Sequence, residues 1–410
     1  MADDSGNRGP ARSDVPSVAP AVSTSRHGPG GTKVTERRGR HGTNALKMRT
    51  IPLPCIRTQV DSMTLTAIDL FSGCGGLSLG LKKAGFHVLA AVELDKLAAE
   101  TYAQNLKKTL VLRSDIRRIT PSAMMKKCGL KRGELDLLAG CPPCQGFSTL
   151  RTLNGHADID EPMNDLVFQF RRFVRGLLPK TIMMENVPGL AKDDRLKSFC
   201  RSLRALGYSV KFDVMDAADF GVPQRRRRMI LIGSRLGDVA FAPKRKTAAT
   251  VRDAIGSLPA PGTDDDVLHV RGPKRAARVE ALIRKIPRNG GSRTSLGAKH
   301  QLRCHRKSDG FRDIYGRMAW DKPAPTITGG CINPSKGRFL HPVAHRAITL
   351  REASLLQNFP RRYRFPLSQG TYAVAQMIGN AFPPAFAACH ARKLARHIQS
   401  SGKSRGEKGV

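Results

Sequence analysis

A thiol set among prolines and glycines is the feature of this sequence with the clearest chemical potential. It is Cys144, in Gly140-Cys141-Pro142-Pro143-Cys144-Gln145-Gly146-Phe147-Ser148. Proline fixes φ and pushes the residue before it into extended geometry, so the two prolines hold Cys144 on a stiff turn. The apolar run Leu135 to Ala139 that leads in is too short for an independent helix and reads as a buried strand. Ligands of open α/β sheets bind outside the carboxyl ends of the strands, so a thiol held there is a candidate nucleophile. Two other readings stand beside it. A lone cysteine is commonly a small buried hydrophobe, and Cys141 with Cys144 has the CxxC spacing of a redox or zinc pair. No second CxxC or CxxH follows at zinc-like spacing, so no metal is expected.

Three further groups could act with it. Phe71-Ser72-Gly73-Cys74-Gly75-Gly76 is a turn between an apolar run and a helical one. Glycine there allows close backbone approach, and the helix start behind it favours anionic groups. Ser78 stands where a dinucleotide fingerprint would have its third glycine, which weakens that reading. Glu93 lies about 20 residues further on, where a carboxylate binds ribose hydroxyls. Asp115 follows the next strand in the same way and could accept from an adenine amino group. Together these strand ends describe an adenosine site. Glu185-Asn186-Val187-Pro188 closes the buried run Thr181 to Met184, and a partly desolvated acid there suits proton donation. In Gln224-Arg225-Arg226-Arg227-Arg228, alternation along an extended segment puts Arg226 and Arg228 on one face. That face can bind a phosphate or a base carbonyl.

The elements that must position these groups alternate strand and helix. Strands are expected at Leu65 to Leu70, His87 to Val92, Thr109 to Leu112, Leu135 to Ala139, Thr181 to Met184, Ser209 to Val214 and Met229 to Ile232. Helices are expected at Leu77 to Ala84, Lys96 to Asn105, Asn164 to Leu177 and Leu196 to Leu206. This pattern means an α/β, doubly wound, parallel-rich sheet. Arg151 to Pro162 is polar and unpatterned, a candidate lid beside the thiol. From residue 235 to 346 the chain is dense in Arg, Lys, Gly and Pro, with one helix whose apolar face is Val279, Leu282, Ile283 and Ile286. Regular patterning resumes at Leu350 to Leu356, Tyr372 to Ile378 and Pro384 to His397. The expected organisation is a disordered basic arm (1–62), a catalytic and cofactor-binding domain (63–234), a smaller basic domain (235–346), a segment returning to the first domain (347–400) and a disordered tail (401–410).

The chain has 410 residues, 40% of them hydrophobic, and a formal net charge of +37. That surplus points to a polyanion such as nucleic acid. No apolar run approaches the ~20 residues that span a bilayer, and no signal-peptide core is seen. The cysteines are nine and scattered, unlike a disulfide framework, which fits a reducing cytoplasm.

Taken in order, these motifs resemble those of the DNA (cytosine-5)-methyltransferases, the bacterial enzymes of restriction-modification and orphan type, from about Leu65 to Leu394. Asp69 to Gly76 is similar to their first motif, Pro142 to Ser148 to the nucleophile loop, and Glu185-Asn186-Val187 to the acid motif. Gln224 to Arg228 resembles the Gln-x-Arg-x-Arg motif. Leu350-Arg351-Glu352-Ala353 with Leu356-Gln357-Asn358-Phe359-Pro360 resembles the segment supporting the recognition domain. Gln376 to Pro384 is similar to the last motif, which completes the cofactor site. The resemblance implies a Rossmann-like sheet and S-adenosylmethionine held by Asp69, Phe71, Gly73, Gly75, Gly76, Glu93, Asp115 and Asn380. It implies a Cys144 nucleophile adding to C6 of a flipped-out cytosine, Glu185 at N3, Arg228 at O2, and Arg226 ordering a phosphate or the loop. It makes residues 235–346 the target-recognition domain, ended by a segment, Trp320 to Thr328, that resembles its counterpart in relatives. Double-stranded DNA is the implied partner, with monomeric action, a cognate restriction endonuclease on the same site, and a cytoplasmic, nucleoid-associated location. Leu94 replaces an aromatic common in relatives, and Cys141 stands where Gly, Ser or Ala is common. A catalytically silent DNA-binding regulator and a dinucleotide oxidoreductase are the competing readings. The first is disfavoured by the intact Cys144, Glu185 and Arg228. The second is disfavoured by Ser78 and the Pro-Pro-Cys loop. No residue is assigned to remove the C5 proton.

Overall fold

Strands covered on both faces carry continuous apolar runs, and the central strands here do so. The computed structural model describes residues 64–143, 166–297, 300 and 313–406, all within one compact unit, Pro54–Val410. The chain runs β1 (Thr66–Leu70), α1 (Gly76–Lys83), β2 (His87–Glu93), α2 (Lys96–Asn105), β3 (Leu110–Arg113), α3 (Pro121–Cys128) and β4 (Leu137–Gly140). Then come α4 (Leu166–Leu177), β5 (Thr181–Asn186), α5 (Asp194–Arg204), β6 (Ser209–Asp216) and β7 (Arg227–Ser234). The remaining helices are α6 (Val251–Ile255), α7 (Ala277–Lys285), α8 (Leu350–Leu356), α9 (Gly370–Asn380) and α10 (Pro384–Gly406). The elements expected through β7 are present, with ends within two residues of the expected ones. Helix α3 is additional. Thr120 caps it by accepting from Ala123 N at 3.1 Å, Pro121 opens it and left-handed Gly129 closes it, which are ordinary start and stop signals. The tail expected from residue 401 is helical as far as Gly406. The arm, the Cys144 to Ser148 part of the thiol loop and the expected lid lie outside the described residues.

The strands form one sheet in the order β3-β2-β1-β4-β5-β7-β6. The first five are parallel, and β7 runs antiparallel to both β5 and β6. Chain order reverses between β1 and β4, which creates the crevice where such sheets bind ligands. One face of the sheet is covered by α4 and α5 through Phe170, Phe173, Phe199 and Leu203. The other is covered by α1 and α10 through Leu77, Leu81, Phe386 and Leu394. A further core joins Val251, Ile255, Met318, Ile327 and Phe339 to Leu350, Leu356, Val374 and Ile378, and to Cys74 and Leu97 beside the first turn. Helix α7 packs Ile283 and Ile286 on Leu340, with Val279 and Leu282 alongside, as expected.

Helix α10 docks on α1 at Gly80. Replacing Gly by Ala inside a helix normally stabilises it by about 1 kcal/mol. Here an added Cβ would lie 2.6 Å from the Pro384 carbonyl oxygen and 3.0 Å from Ala388 N. Backbone atoms cannot swing aside, so overpacking, typically about 1–3 kcal/mol, wins. Gly80→Ala is therefore expected to lower the melting temperature in thermal unfolding; a rise would contradict this docking.

Candidate functional site

The first half of the site is the turn after β1. Phe71 is a non-glycine residue at φ 59°, and Gly73 and Gly75 have φ 53° and 94°. Left-handed geometry at a bulky residue costs of order 1–3 kcal/mol and clusters at ligand clamps. The turn is held from β2: Ser72 N donates to Val92 O at 3.0 Å and Gly73 N to Glu93 Oε2 at 2.7 Å. The other Glu93 oxygen accepts from Asp95 N at 2.8 Å. Burial holds this carboxyl above its usual range. At Gly76 an added Cβ would strike the Phe382 carbonyl, so the segment after α9 closes directly over the turn. Tyr363 OH donates to Cys74 O from the same side.

Asp69, at the end of β1, is fully buried. Its Oδ2 accepts from Ser78 Oγ at 2.6 Å, and Tyr102 OH donates to that Ser78 oxygen at 2.7 Å. Ser78, the departure from the dinucleotide pattern, is thus the residue that orients Asp69. The second carboxyl oxygen, Oδ1, is buried with no partner. Burial first, and Glu93 second among the raising influences, push the Asp69 carboxyl up from 3.8 to about 7. Asp115 and Asn380 are less free. Asp115 is gripped by Arg117, whose Nη2 donates to Oδ2 at 2.8 Å, and the pair holds its carboxyl low. Asn380 Oδ1 accepts from Gln376 Nε2 at 3.1 Å. Leu94 is 65% exposed.

The second half lies at the ends of β4 and β5, which are parallel neighbours. Gly140 is needed there, since a Cβ would lie 2.6 Å from the Leu70 carbonyl oxygen on β1. Asn186 Nδ2 donates to Pro142 O at 3.0 Å and so anchors the root of the thiol loop to β5. Glu185 is 9% exposed, and Arg228 Nε lies 2.8 Å from its Oε1. Burial, then Glu185 and Asp69, push the Cys141 thiol well up. Cys141 therefore sits between the two halves and stays protonated at neutral pH, a poor nucleophile. Cys144 itself lies outside the described residues.

Alternation holds along Gln224 to Arg228: Arg225 and Arg227 are exposed, while Arg226 and Arg228 turn inward. Arg226, expected to order a phosphate or the loop, is engaged by main chain. It is 3% exposed and donates to Ile327 O at 3.0 Å and Gly379 O at 2.9 Å. Burial, then Arg228, push its guanidinium down to about 9. Two residues not expected at the site complete this knot. Gln224 Oε1 accepts from Ile327 N at 2.8 Å, and its amide donates to Gln357. Gln357 Nε2 donates to Ile378 O and Ala381 O at 2.8 and 2.9 Å. Their positions inside expected motifs were the available signal.

The raised Asp69 carboxyl has a stability consequence. The folded state holds its proton up to about pH 7, whereas the unfolded chain releases it near 3.8. The protein therefore loses stability as pH rises from about 4 through 7. A shift of this size corresponds to at most about 4 kcal/mol. In the absence of ligand, Asp69→Asn is expected to remove this slope in urea unfolding at a series of pH values; a parallel slope in both proteins would contradict the burial argument.

Comparison with known proteins identifies the family. The family described as C-5 cytosine-specific DNA methylase matches residues 65–396. The chain is 36% identical over 354 residues to the Type II methylase M.HgiDII of Herpetosiphon aurantiacus, covering 82% of this chain and 97% of that one. It is 34% identical over 331 residues to the Type II methyltransferase M1.HphI of Haemophilus parahaemolyticus, covering 79% and 85%. Among solved structures it is similar to a prophage-encoded E. coli protein provisionally described as a DNA modification methyltransferase. That match has a TM-score of 0.59 and 27% identity, and covers 82% of this chain and 99% of that one. The chain belongs to the C-5 cytosine-specific DNA methylases and is a DNA (cytosine-5)-methyltransferase.

Proposed function

We propose that this enzyme uses S-adenosylmethionine to methylate C5 of a cytosine flipped out of a specific duplex DNA sequence, through a covalent bond between Cys144 and C6. The observation that carries the reading is the Glu185–Arg228 pair, 2.8 Å apart and partly desolvated, beside the strand end from which the Cys144 loop departs. The cofactor reading rests on the first half. Asp69 offers one buried, unpartnered carboxyl oxygen to a donor such as an ammonium group. Glu93 keeps acceptor capacity for ribose hydroxyls, and the left-handed turn at Phe71 and Gly73 lets backbone approach closely. Asn380 closes the site. Asp115 serves an adenine amino group once Arg117 yields. When bound, S-adenosylmethionine supplies an electrophilic sulfonium methyl.

Cytosine C5 is a weak nucleophile. Addition of the Cys144 thiolate at C6 makes C5 enamine-like, with negative charge developing toward N3 and O2. Glu185 donates a proton or hydrogen bond at N3, and Arg228 offers its guanidinium to O2 while holding Glu185 in place. Arg226, buried behind them, braces the segment through its two carbonyl bonds and is a positioning residue. After methylation, loss of the C5 proton to a base lets the Cys144–C6 bond break and releases the thiolate. None of these atoms is reachable in a stacked duplex, so the base must leave the helix. Residues 235–346, rich in Arg and Lys, fit a target-recognition domain reading base edges and phosphates. Relatives carry Type II names, and we read this chain as the modification half of such a system, acting as a monomer in the cytoplasm.

Incubation with duplex DNA and methyl-labelled cofactor tests the reading. Label is expected in cytosine only, and its absence from every cytosine-containing duplex would end the proposal. Cys144→Ala is expected to abolish transfer while retaining DNA binding. Glu185→Gln is expected to lower kcat by roughly 10²–10⁴-fold, the usual size of a general-acid contribution; a wild-type rate would remove Glu185 from the mechanism.

A further inference from the structure

Helix α4 carries a row of arginines that the mechanism does not use. A groove of about 460 Å³ beside it is lined by Arg132, Phe168, Arg171, Arg172 and Arg175, together with Gly176 and Leu206. It lies away from the reacting end of the sheet. Arg132, Gly176 and Leu206 stand shortly before the first residues of β4, β5 and β6. Cys141 and Glu185 stand at the opposite ends of β4 and β5. From Thr181 to Glu185 the strand alone spans about 13 Å.

The groove's charge is unbalanced. No carboxylate lines it. Glu134, the nearest acid along the chain, closes its own turn by accepting from Lys131 N at 2.9 Å. Arg172 is committed to structure, donating to Ile116 O at 2.7 Å and Ile119 O at 2.9 Å. The other three are differently held: the Arg175 side chain is exposed. Arg171 lies over the Phe168 ring at 4.8 Å, and Arg132 makes one long bond, 3.4 Å, to the Arg175 carbonyl. Stacking and this weak bond leave guanidinium donors free to face a ligand. Arg171 and Arg175 are one turn apart, about 6 Å along the helix. A row of cations on an open surface suits successive phosphates of a polymer better than one compact anion, and guanidinium forks suit phosphate oxygens.

We propose that this groove is a second DNA-backbone site, taking phosphates of a DNA segment other than the one whose cytosine reacts. Each phosphate engaged there adds to the counterions released on binding. The inference rests on DNA as the substrate but does not need methyl transfer to be read. The test uses the full chain with Arg132, Arg171 and Arg175 all changed to Gln, on a duplex just long enough for the cleft and on one several times longer. Binding is measured across a salt series. On the long duplex the variant is expected to show a slope of log affinity against log salt shallower by about 2–3, at ~0.9 per phosphate. On the short duplex, binding and methylation are expected to match the wild type. Equal slopes on the long duplex would overturn the proposal. An equal loss on both duplexes would also overturn it, by placing the arginines in the cleft. Binding of inorganic tripolyphosphate with unchanged long-duplex slopes would mark a small-anion site and overturn it too. If the triple variant melts early, Arg171→Gln and Arg175→Gln singly are each expected to lower the slope by about 1. Methylation failing in the wild type, with these slopes intact, would count against the catalytic reading alone.

Discussion

Glu185 and Arg228 can meet only because β7 runs against β5. In a wholly parallel sheet the start of one strand lies far from the end of its neighbour. The antiparallel pairing sets Glu185 opposite Ile230 and Asn186 opposite Met229. The residues leading into β7 therefore arrive where β5 ends. A carboxyl group taken out of water at a strand end needs hydrogen-bond partners there. Arg228 meets that need at 2.8 Å. The same reversal brings Arg226 in behind, and with it the long-range bonds to Ile327 and Gly379.

The two halves of the site are built separately and joined at few points. Asp69 and Glu93 belong to β1 and β2, while Glu185 and Arg228 belong to β5 and β7. Cys141 is where they touch, feeling both Asp69 and Glu185. Its protonated thiol adds no charge between two carboxylates. The C-terminal segments lock this arrangement from outside. Phe382 presses on Gly76, Tyr363 bonds Cys74, and Gln357 collects carbonyls from the end of α9. Residues distant in sequence thereby set the shape of the first turn. A buried network of this kind is strong only when its members are satisfied. The Nε of Arg226 is the exception, buried with no partner.

Much of this was legible in the sequence because the central strands are covered on both faces. Their apolar runs are unbroken, and their ends carry the polar residues that matter: Asp69, Glu93, Glu185. Helix α3 escaped because it has no strong apolar stripe; only Met124 is buried, and Thr120, Pro121 and Gly129 had to carry the signal. The direction of β7 could not be read, since a short buried run looks the same either way. Arg226 shows a different limit. Alternation gave its face correctly, but a charged residue facing inward could have met phosphate or main-chain carbonyl. Its carbonyl partners Ile327 and Gly379 lie far along the chain, beyond the reach of local alternation. Likewise, the departure at Ser78 from a glycine pattern has its reason in the bond to Asp69, which pattern alone does not show.

In the proposed mechanism Cys144, and not its neighbour Cys141, bonds C6 of a cytosine beside the Glu185–Arg228 pair. A duplex whose target cytosine carries fluorine at C5 tests this most directly, because the final proton loss is blocked and the adduct persists. Mass spectrometry of the trapped protein, digested to peptides, locates the bond. One cofactor-dependent adduct is expected, on Cys144. An adduct on Cys141, or none on a duplex that the enzyme otherwise methylates, would contradict it.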